Sequence, residues 1–177
     1  LIVNIHDKKF ETYISDVQIA EAVNRISSQI DQDYAGKRPL FLVVLNGSFL
    51  FAADLFRKLQ VEAEICFIKL ASYQGMKSSG KVTTAIGLDT PVKGRDVVLI
   101  EDIIDTGKTM YEFIPELLER QPASLKLASL LLKPDALKYE VKADYVGFSV
   151  PNDFLVGYGL DYDGLGRNYG EILKLMP

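Results

Sequence analysis

A chain of 177 residues that is 48% hydrophobic and 25% charged has the length and composition of one folded domain with room for a sizeable core. Its net charge of −4 excludes a broad basic field for a nucleic-acid backbone or an anionic membrane, so neither is an expected partner. Any anionic ligand must be met by local loops, and the expected ligand is small. The one cysteine, Cys66, lies in the apolar run AEICFIKL and reads as a buried structural thiol in a reducing compartment. The one histidine, His6, reads as structural or exposed, and without a Cys/His cluster a zinc site has no ligands. No apolar stretch reaches membrane-span length and the start LIVNIHDKKF is too polar for a signal peptide, so a cytoplasmic location is expected.

In chain order, Ser15 and Gln18 have the spacing of a capping box, Ile19, Val23, Ile26 and Ile30 share one helical face, and Gly36 is a stop. PLFLVVLNGS is an apolar run closed by Asn-Gly-Ser, after which Ala52, Leu55, Phe56 and Leu59 recur at helical spacing. AEICFIKLASY is a second apolar run. VVLIED is a third, and it feeds a helix with Met110, Phe113, Ile114, Leu117 and Leu118 on one face and Pro115 as a kink inside it. LKLASLLLK and ADYVGFSV complete five strand candidates, several too continuously apolar to have a wet face. The alternation predicts an α/β fold with a mainly parallel sheet flanked by helices. Residues 72 to 87, rich in Gly, Ser and Lys, resemble a mobile lid, and residues 151 to 170 read as an ordered functional tail.

The stretch VVLIEDIIDTGKTM carries the chemistry. Glu101 and Asp102 fall where a parallel strand should end, which is where open α/β sheets bind ligands. Asp105, Thr106, Gly107, Lys108 and Thr109 then open a helix, so backbone N–H groups, hydroxyls and the helix dipole converge on a spot suited to phosphate. A nucleotide P-loop would need glycine five residues before Gly107, and that residue is Asp102. Two carboxylates do not belong beside a bare anion, because like charges repel. Vicinal ribose hydroxyls, or a Mg²⁺ ion bridging hydroxyl and pyrophosphate oxygens, would satisfy them, and the ligand so implied is a sugar phosphate.

VVLIEDIIDTGKT resembles the phosphoribosyl diphosphate motif of type I phosphoribosyltransferases, and closely that of the hypoxanthine-guanine branch of the family. The resemblance runs from about Leu40 to Arg167: VLNGSFLFAADL is similar to the pyrophosphate loop, SYQGMKSSG to the lid, LLLKPD to the base-reading lysine segment and YVGFSVPNDFLVGYGLDY to the purine pocket. It implies the type I phosphoribosyltransferase fold as a single domain over residues 1 to 177, with a small hood from the N-terminal segment and residues 151 to 177. It also implies Mg²⁺-dependent transfer of a 5-phosphoribosyl group from phosphoribosyl diphosphate to a 6-oxopurine in purine salvage, in a homodimer or homotetramer.

By the same resemblance Glu101 and Asp102 hold the ribose hydroxyls, directly or through metal, and Asp105 faces purine N7 as general acid/base. Thr106, Gly107, Lys108 and Thr109 cradle the 5′-phosphate, and Lys133 donates to the exocyclic oxygen of the base. Phe154 stacks on the purine, while the backbone at Leu155 and Asp161 reads its remaining edge. The Asp161 side chain approaches a second Mg²⁺, Arg167 contacts pyrophosphate, and Ser72 and Tyr73 close over the reaction centre. Gly47 opens the pyrophosphate loop to the leaving group, with a non-proline cis peptide expected between Leu45 and Asn46. Taken without the family, Asp105 reads as a helix N-cap, Lys133 as a solvated strand-end lysine, Phe154 as core, and Asp161 with Arg167 as a surface ion pair.

Three positions depart from the family pattern. Asn46 stands where many relatives carry lysine, Leu137 where many carry arginine, and Lys69 where arginine is frequent. Positive charge around the leaving group is reduced, and heavier reliance on Mg²⁺ or on Lys138 is the expected compensation. Lys133 and Phe154 favour 6-oxopurines over the bases of other phosphoribosyltransferases. A regulatory RNA-binding member of the fold would need a basic face, and a non-catalytic nucleotide-binding module would have no use for Asp105 and the acidic pair.

Overall fold

The computed structural model describes residues 1–72 and 82–177. Most of the expected lid, with Tyr73, lies outside the described residues; Ser72 is described only as the last residue of a strand.

The N-terminal hairpin pairs β1 (Ile2–Ile5) with β2 (Lys8–Ile14). His6 sits exposed in its turn at a φ of 51°, in keeping with its expected structural or exposed role. Helix α1 (Asp16–Asp33) begins with the capping box: the Ser15 side chain accepts from the Gln18 N–H, and the Ser15 N–H donates to Gln18 Oε1 at 2.9 Å. Ile19, Val23, Ile26 and Ile30 are all buried, each stabilising the fold by about 1.5–3 kcal/mol relative to exposure.

The central sheet holds the five expected strands, β3 (Leu40–Leu45), β4 (Glu64–Ser72), β6 (Asp96–Ile104), β7 (Ser124–Leu132) and β8 (Tyr145–Ser149), plus β5 (Val82–Ile86). Their order is β5-β4-β3-β6-β7-β8, parallel except for β5, which pairs antiparallel at the edge beside β4. Helices α2 (Phe49–Phe56) and α3 (Lys108–Glu119) connect it. Apolar clusters fill both faces, one under α1 and α2 and one under α3. Burial on two sides is why the strands read as unbroken apolar runs.

A second, antiparallel sheet of order β1-β2-β10-β9 joins the hairpin to β9 (Leu155–Val156) and β10 (Ile172–Leu175). It is the small hood built from the two ends of the chain. Val156 and Leu173 pack on Ile5 and Phe10 beneath it.

Several expectations need correction. Leu59 lies beyond the end of α2, and Phe51 takes the buried place on that helix. On α3, Leu118 is 51% exposed, because it follows Leu117 by about 100° of helical rotation and turns off the buried stripe. Cys66 is only partly buried, with its thiol 3.1 Å from the Gly87 carbonyl. Pro115 lies inside α3 as expected, where it lacks the N–H that would reach back one turn. Among the described residues no helix is long and apolar enough to cross a membrane.

Candidate active site

Strand order decides where the site lies. The chain enters the sheet at β3, moves outward to β4, then crosses to β6 on the other side, so the order reverses between β3 and β6. Ligand crevices in open α/β sheets form at such switch points, beyond the carboxyl ends of the strands. The ladder between β3 and β6 ends at the Val43–Ile100 pair. Past it the two chains part, one into Asn46-Gly47-Ser48 and the other into Glu101 and Asp102. The expected cis peptide between Leu45 and Asn46 is present.

Glu101 is 7% exposed, and its carboxyl is held well above the ordinary carboxylate range, by burial first and by the charge of Asp102 second. Its Oε1 accepts from the Asp102 N–H at 3.0 Å, and Asp102 Oδ1 accepts from the Ile103 N–H at 2.7 Å. Gly47 has no space for a side chain, since a Cβ there would lie 1.5 Å from Asp102 Oδ2. Gly159 abuts the other side of the loop, where a Cβ would come within 1.9 Å of the Gly47 carbonyl oxygen. The tail at Gly159 is therefore packed on the Gly47 loop, and the Gly47 loop on Asp102.

The anion loop follows β6 directly. Gly107, at a φ of +82°, is the N-cap of α3, so Asp105 is not the helix cap that the bare sequence allows. A Cβ at Gly107 would meet the Tyr139 carbonyl at 3.0 Å, so both the left-handed turn and the close packing require glycine. Thr106 is fixed through its carbonyl, which accepts from the Lys138 and Tyr139 N–H groups at 2.9 and 3.2 Å. The hollow above this turn, about 90 Å³, is lined by Glu101 and by Asp105, Thr106, Gly107, Lys108 and Thr109. Larger hollows lie elsewhere, one of about 520 Å³ between α3, β7 and residues 140–144. Size does not decide the site; convergence of polar groups does.

Lys133 follows β7 and is 6% exposed. It is not a solvated strand end. Its Nζ lies 3.1 Å from Asp105 Oδ2, an ion pair that joins the base-reading segment to the anion loop. The Lys133 N–H, hydrogen-bonded to the Ile104 carbonyl at 3.0 Å, holds the backbone in register beneath it.

The tail brings in the hood. Phe154 is 45% exposed, too open for a core residue, and it stands edge-on to Tyr162 at 5.6 Å and 85°. Leu155 is paired to Lys174 within the small sheet. Asp161 and Arg167 form an ion pair at 2.7 Å, and Arg167 Nη1 also donates to the Gly159 carbonyl at 2.6 Å. Asp161 Oδ2 accepts from the Gly164 N–H, so both of its oxygens are engaged. Arg167 thus reaches the wall formed by Gly159 and Gly47. Tyr162, absent from the sequence-based set, flanks Phe154, while Tyr158, equally absent and placed between two glycines, bonds to Asp54 outside this group.

The adjacent carboxylates of buried Glu101 and half-buried Asp102 are hard oxygen donors of the kind that suits Mg²⁺. Among the described residues no three His, Cys, Asp or Glu side chains gather as a metal-binding group. These two side chains would leave most of the coordination of such an ion to substrate and water, as Mg²⁺ sites commonly do.

Fold and site together define a phosphoribosyltransferase. The phosphoribosyl transferase domain model matches residues 12–163. A hypoxanthine-guanine phosphoribosyltransferase of Lactococcus lactis is 42% identical over 173 residues, 97% of this chain and 94% of that protein. One from Streptococcus pneumoniae strain R6 is 41% identical over 164 residues, covering 91% of each. The crystal structure of a Bacillus anthracis hypoxanthine-guanine phosphoribosyltransferase, with HEPES in its active site, superposes with a TM-score of 0.87 at 36% identity, over 94% of this chain and 97% of that one. This chain belongs to the hypoxanthine-guanine phosphoribosyltransferase family.

Proposed function

We propose that the protein transfers the 5-phosphoribosyl group of phosphoribosyl diphosphate to N9 of hypoxanthine or guanine, releasing pyrophosphate and forming IMP or GMP, in a Mg²⁺-dependent salvage reaction. The observation that carries this reading is the Lys133–Asp105 pair, an ammonium donor and a carboxylate acceptor 3.1 Å apart beside the anion loop. A 6-oxopurine presents a carbonyl oxygen and N7 on one edge, and the pair complements that edge. Adenine would place an amino donor against the ammonium donor. The relatives named above carry the same base specificity in their names.

In this reading Thr106, Gly107, Lys108 and Thr109 receive the 5′-phosphate, and Glu101 and Asp102 accept the ribose hydroxyls. Mg²⁺ held at the acidic pair would neutralise the charge of the leaving pyrophosphate; a second ion at Asp161 would have to share oxygens already engaged by Arg167 and the Gly164 N–H. Lys133 orients the base, Phe154 stacks on it, backbone groups at Leu155 and Asp161 read its remaining edge, and Asp105 takes the N7 proton as N9 attacks C1′. Gly47 lets backbone N–H groups of its loop reach the pyrophosphate, with Arg167 beside it, while Ser72 and Tyr73 belong to the segment assigned to exclude water. No covalent enzyme intermediate is required, since holding base, ribose and pyrophosphate in line supplies the catalysis. A cytoplasmic homodimer or homotetramer is part of the same reading.

The test is pyrophosphate release from phosphoribosyl diphosphate and Mg²⁺ with hypoxanthine, guanine, xanthine, adenine and uracil in turn, beside Asp105→Ala. Turnover with hypoxanthine or guanine and a loss of about 100-fold or more in the mutant is the expected result. Turnover with adenine or uracil alone would overturn it.

A further inference from the structure

Tyr158 stands apart from the residues that the reaction uses. It is 5% exposed, and its hydroxyl donates to Asp54 Oδ2 on α2 at 2.7 Å, across 104 residues of sequence. Burial first, and the bond to Asp54 second, push the phenol far above its ordinary range, so the hydroxyl stays a donor at every physiological pH. The backbone at Tyr158 is left-handed, with a φ of 47°, between Gly157 and Gly159, whose φ values are 100° and 99°. A tyrosine in that conformation persists only where its surroundings over-determine it. Here the Tyr158 and Gly159 N–H groups donate to the Tyr169 and Arg167 carbonyls at 2.8 and 3.0 Å.

The two partners sit at opposite ends of one mechanical connection. Asp54 is on the helix that begins immediately after the Gly47 loop. Tyr158 immediately precedes Gly159, which is packed on the Gly47 carbonyl without space for a Cβ, and Gly47 is packed in the same way on Asp102. A displacement of the tail is therefore passed by hard contact to the loop and then to the acidic pair. We infer that Tyr158 and Asp54 are positioning residues, whose hydrogen bond clamps the tail against the Gly47 loop and so sets the site for the pyrophosphate moiety. The inference rests on the reading of that loop as the pyrophosphate site.

The experiment measures binding of inorganic pyrophosphate and of phosphoribosyl diphosphate, each with Mg²⁺, to the full chain by calorimetry. KM values for both substrates and the melting temperature accompany it. Tyr158→Phe keeps the buried ring and removes only the donor; Asp54→Ala removes the acceptor. Both should weaken pyrophosphate about tenfold, the worth of one hydrogen bond to a charged group, with the KM for hypoxanthine unchanged. The double mutant should be no weaker than either single mutant. Asp54→Asn, which keeps an acceptor oxygen but not the charge, should recover most of the affinity. Arg57→Ala should leave binding unchanged, since that side chain is 81% exposed and only 3.8 Å from Asp54 as a surface pair.

Wild-type pyrophosphate affinity in Tyr158→Phe and Asp54→Ala would overturn the inference. So would an equal loss for both substrates together with a collapsed melting temperature, which marks a merely structural bond. A wild-type protein that binds pyrophosphate but turns over no purine would fail the proposed function while leaving the clamp readable. One that binds no pyrophosphate would overturn both.

Discussion

Gly47 and Asp102 are in such close contact that the smallest side chain at residue 47 would overlap the carboxylate, 1.5 Å from Oδ2. The loop expected to present its N–H groups to pyrophosphate and the group expected to hold ribose therefore define each other's position. Gly47→Ala should move one of them by about 1 Å, a misplacement that costs on the order of 100-fold in kcat/KM for phosphoribosyl diphosphate. Gly159→Ala pushes on the same carbonyl from the other side, so the two substitutions should be strongly non-additive. Steady-state kinetics of the two single mutants and the double mutant check this; independent, multiplicative losses would contradict it.

The Asp105–Lys133 pair is asymmetric in burial, with the lysine side chain 8% exposed and the aspartate 50%. Removing the aspartate leaves a mostly buried ammonium without its partner, a loss of about 1–3 kcal/mol because half of that partner faces solvent. Removing the lysine leaves a carboxylate that water can reach, so the loss is about 1 kcal/mol or less. Asp105→Ala should therefore unfold at distinctly lower urea concentration than Lys133→Met, although on the proposed roles both should lower turnover. Equal midpoints would mean that the two groups do not form this pair in solution.

What could be read from the chain alone follows from where the determining contacts lie. β3, β6 and β7 announce themselves because burial on both faces writes apolar residues at consecutive positions. The acidic pair and the Asp105–Thr109 turn are legible because strand end, loop and helix start are adjacent in sequence. The pairing of β2 with β10 sets Phe10 opposite Leu175, and nothing local records a partner so distant. Tyr158 and Asp54 are hidden for the same reason. Lys133 is the instructive case: its residue type and strand-end position suggest solvent, and only the tertiary approach of Asp105 makes its burial tenable.

Phe154 owes its exposed stance to the hood. Tyr162 meets it edge to face and is itself tied to the β1–β2 turn, through a hydroxyl that donates to Asp7 Oδ1 at 2.8 Å and a ring contact with His6 at 5.4 Å. An edge-to-face pair is worth about 0.5–1.5 kcal/mol, which corresponds to a rise of about two- to tenfold in KM for hypoxanthine on Tyr162→Leu. Asp7→Ala should give a smaller rise in the same parameter. The KM for phosphoribosyl diphosphate should not move in either mutant, and a parallel rise there would show that the hood acts on the whole site rather than on the base.

Glu101 gives a stability prediction whose sign is fixed by burial. In the unfolded chain its carboxyl ionises near the ordinary 4.5; in the folded chain, buried beside Asp102, it keeps its proton to higher pH. The folded state then binds more protons than the unfolded one, so stability is greatest below the ordinary value and falls as pH rises through the elevated folded value. Each tenfold by which burial disfavours ionisation is worth about 1.4 kcal/mol. Glu101→Gln is nearly isosteric and permanently neutral, so it escapes this loss. With divalent cations chelated, its melting temperature should exceed that of the parent protein at pH 8, and the gap should close as the pH approaches 4.5. A gap that did not change with pH would remove ionisation as the cause. Turnover by the same mutant should fall, since an amide cannot replace a carboxylate as the anionic acceptor proposed for the ribose hydroxyls; the charge that destabilises the empty site is the one assigned by that proposal to the sugar phosphate and its cation.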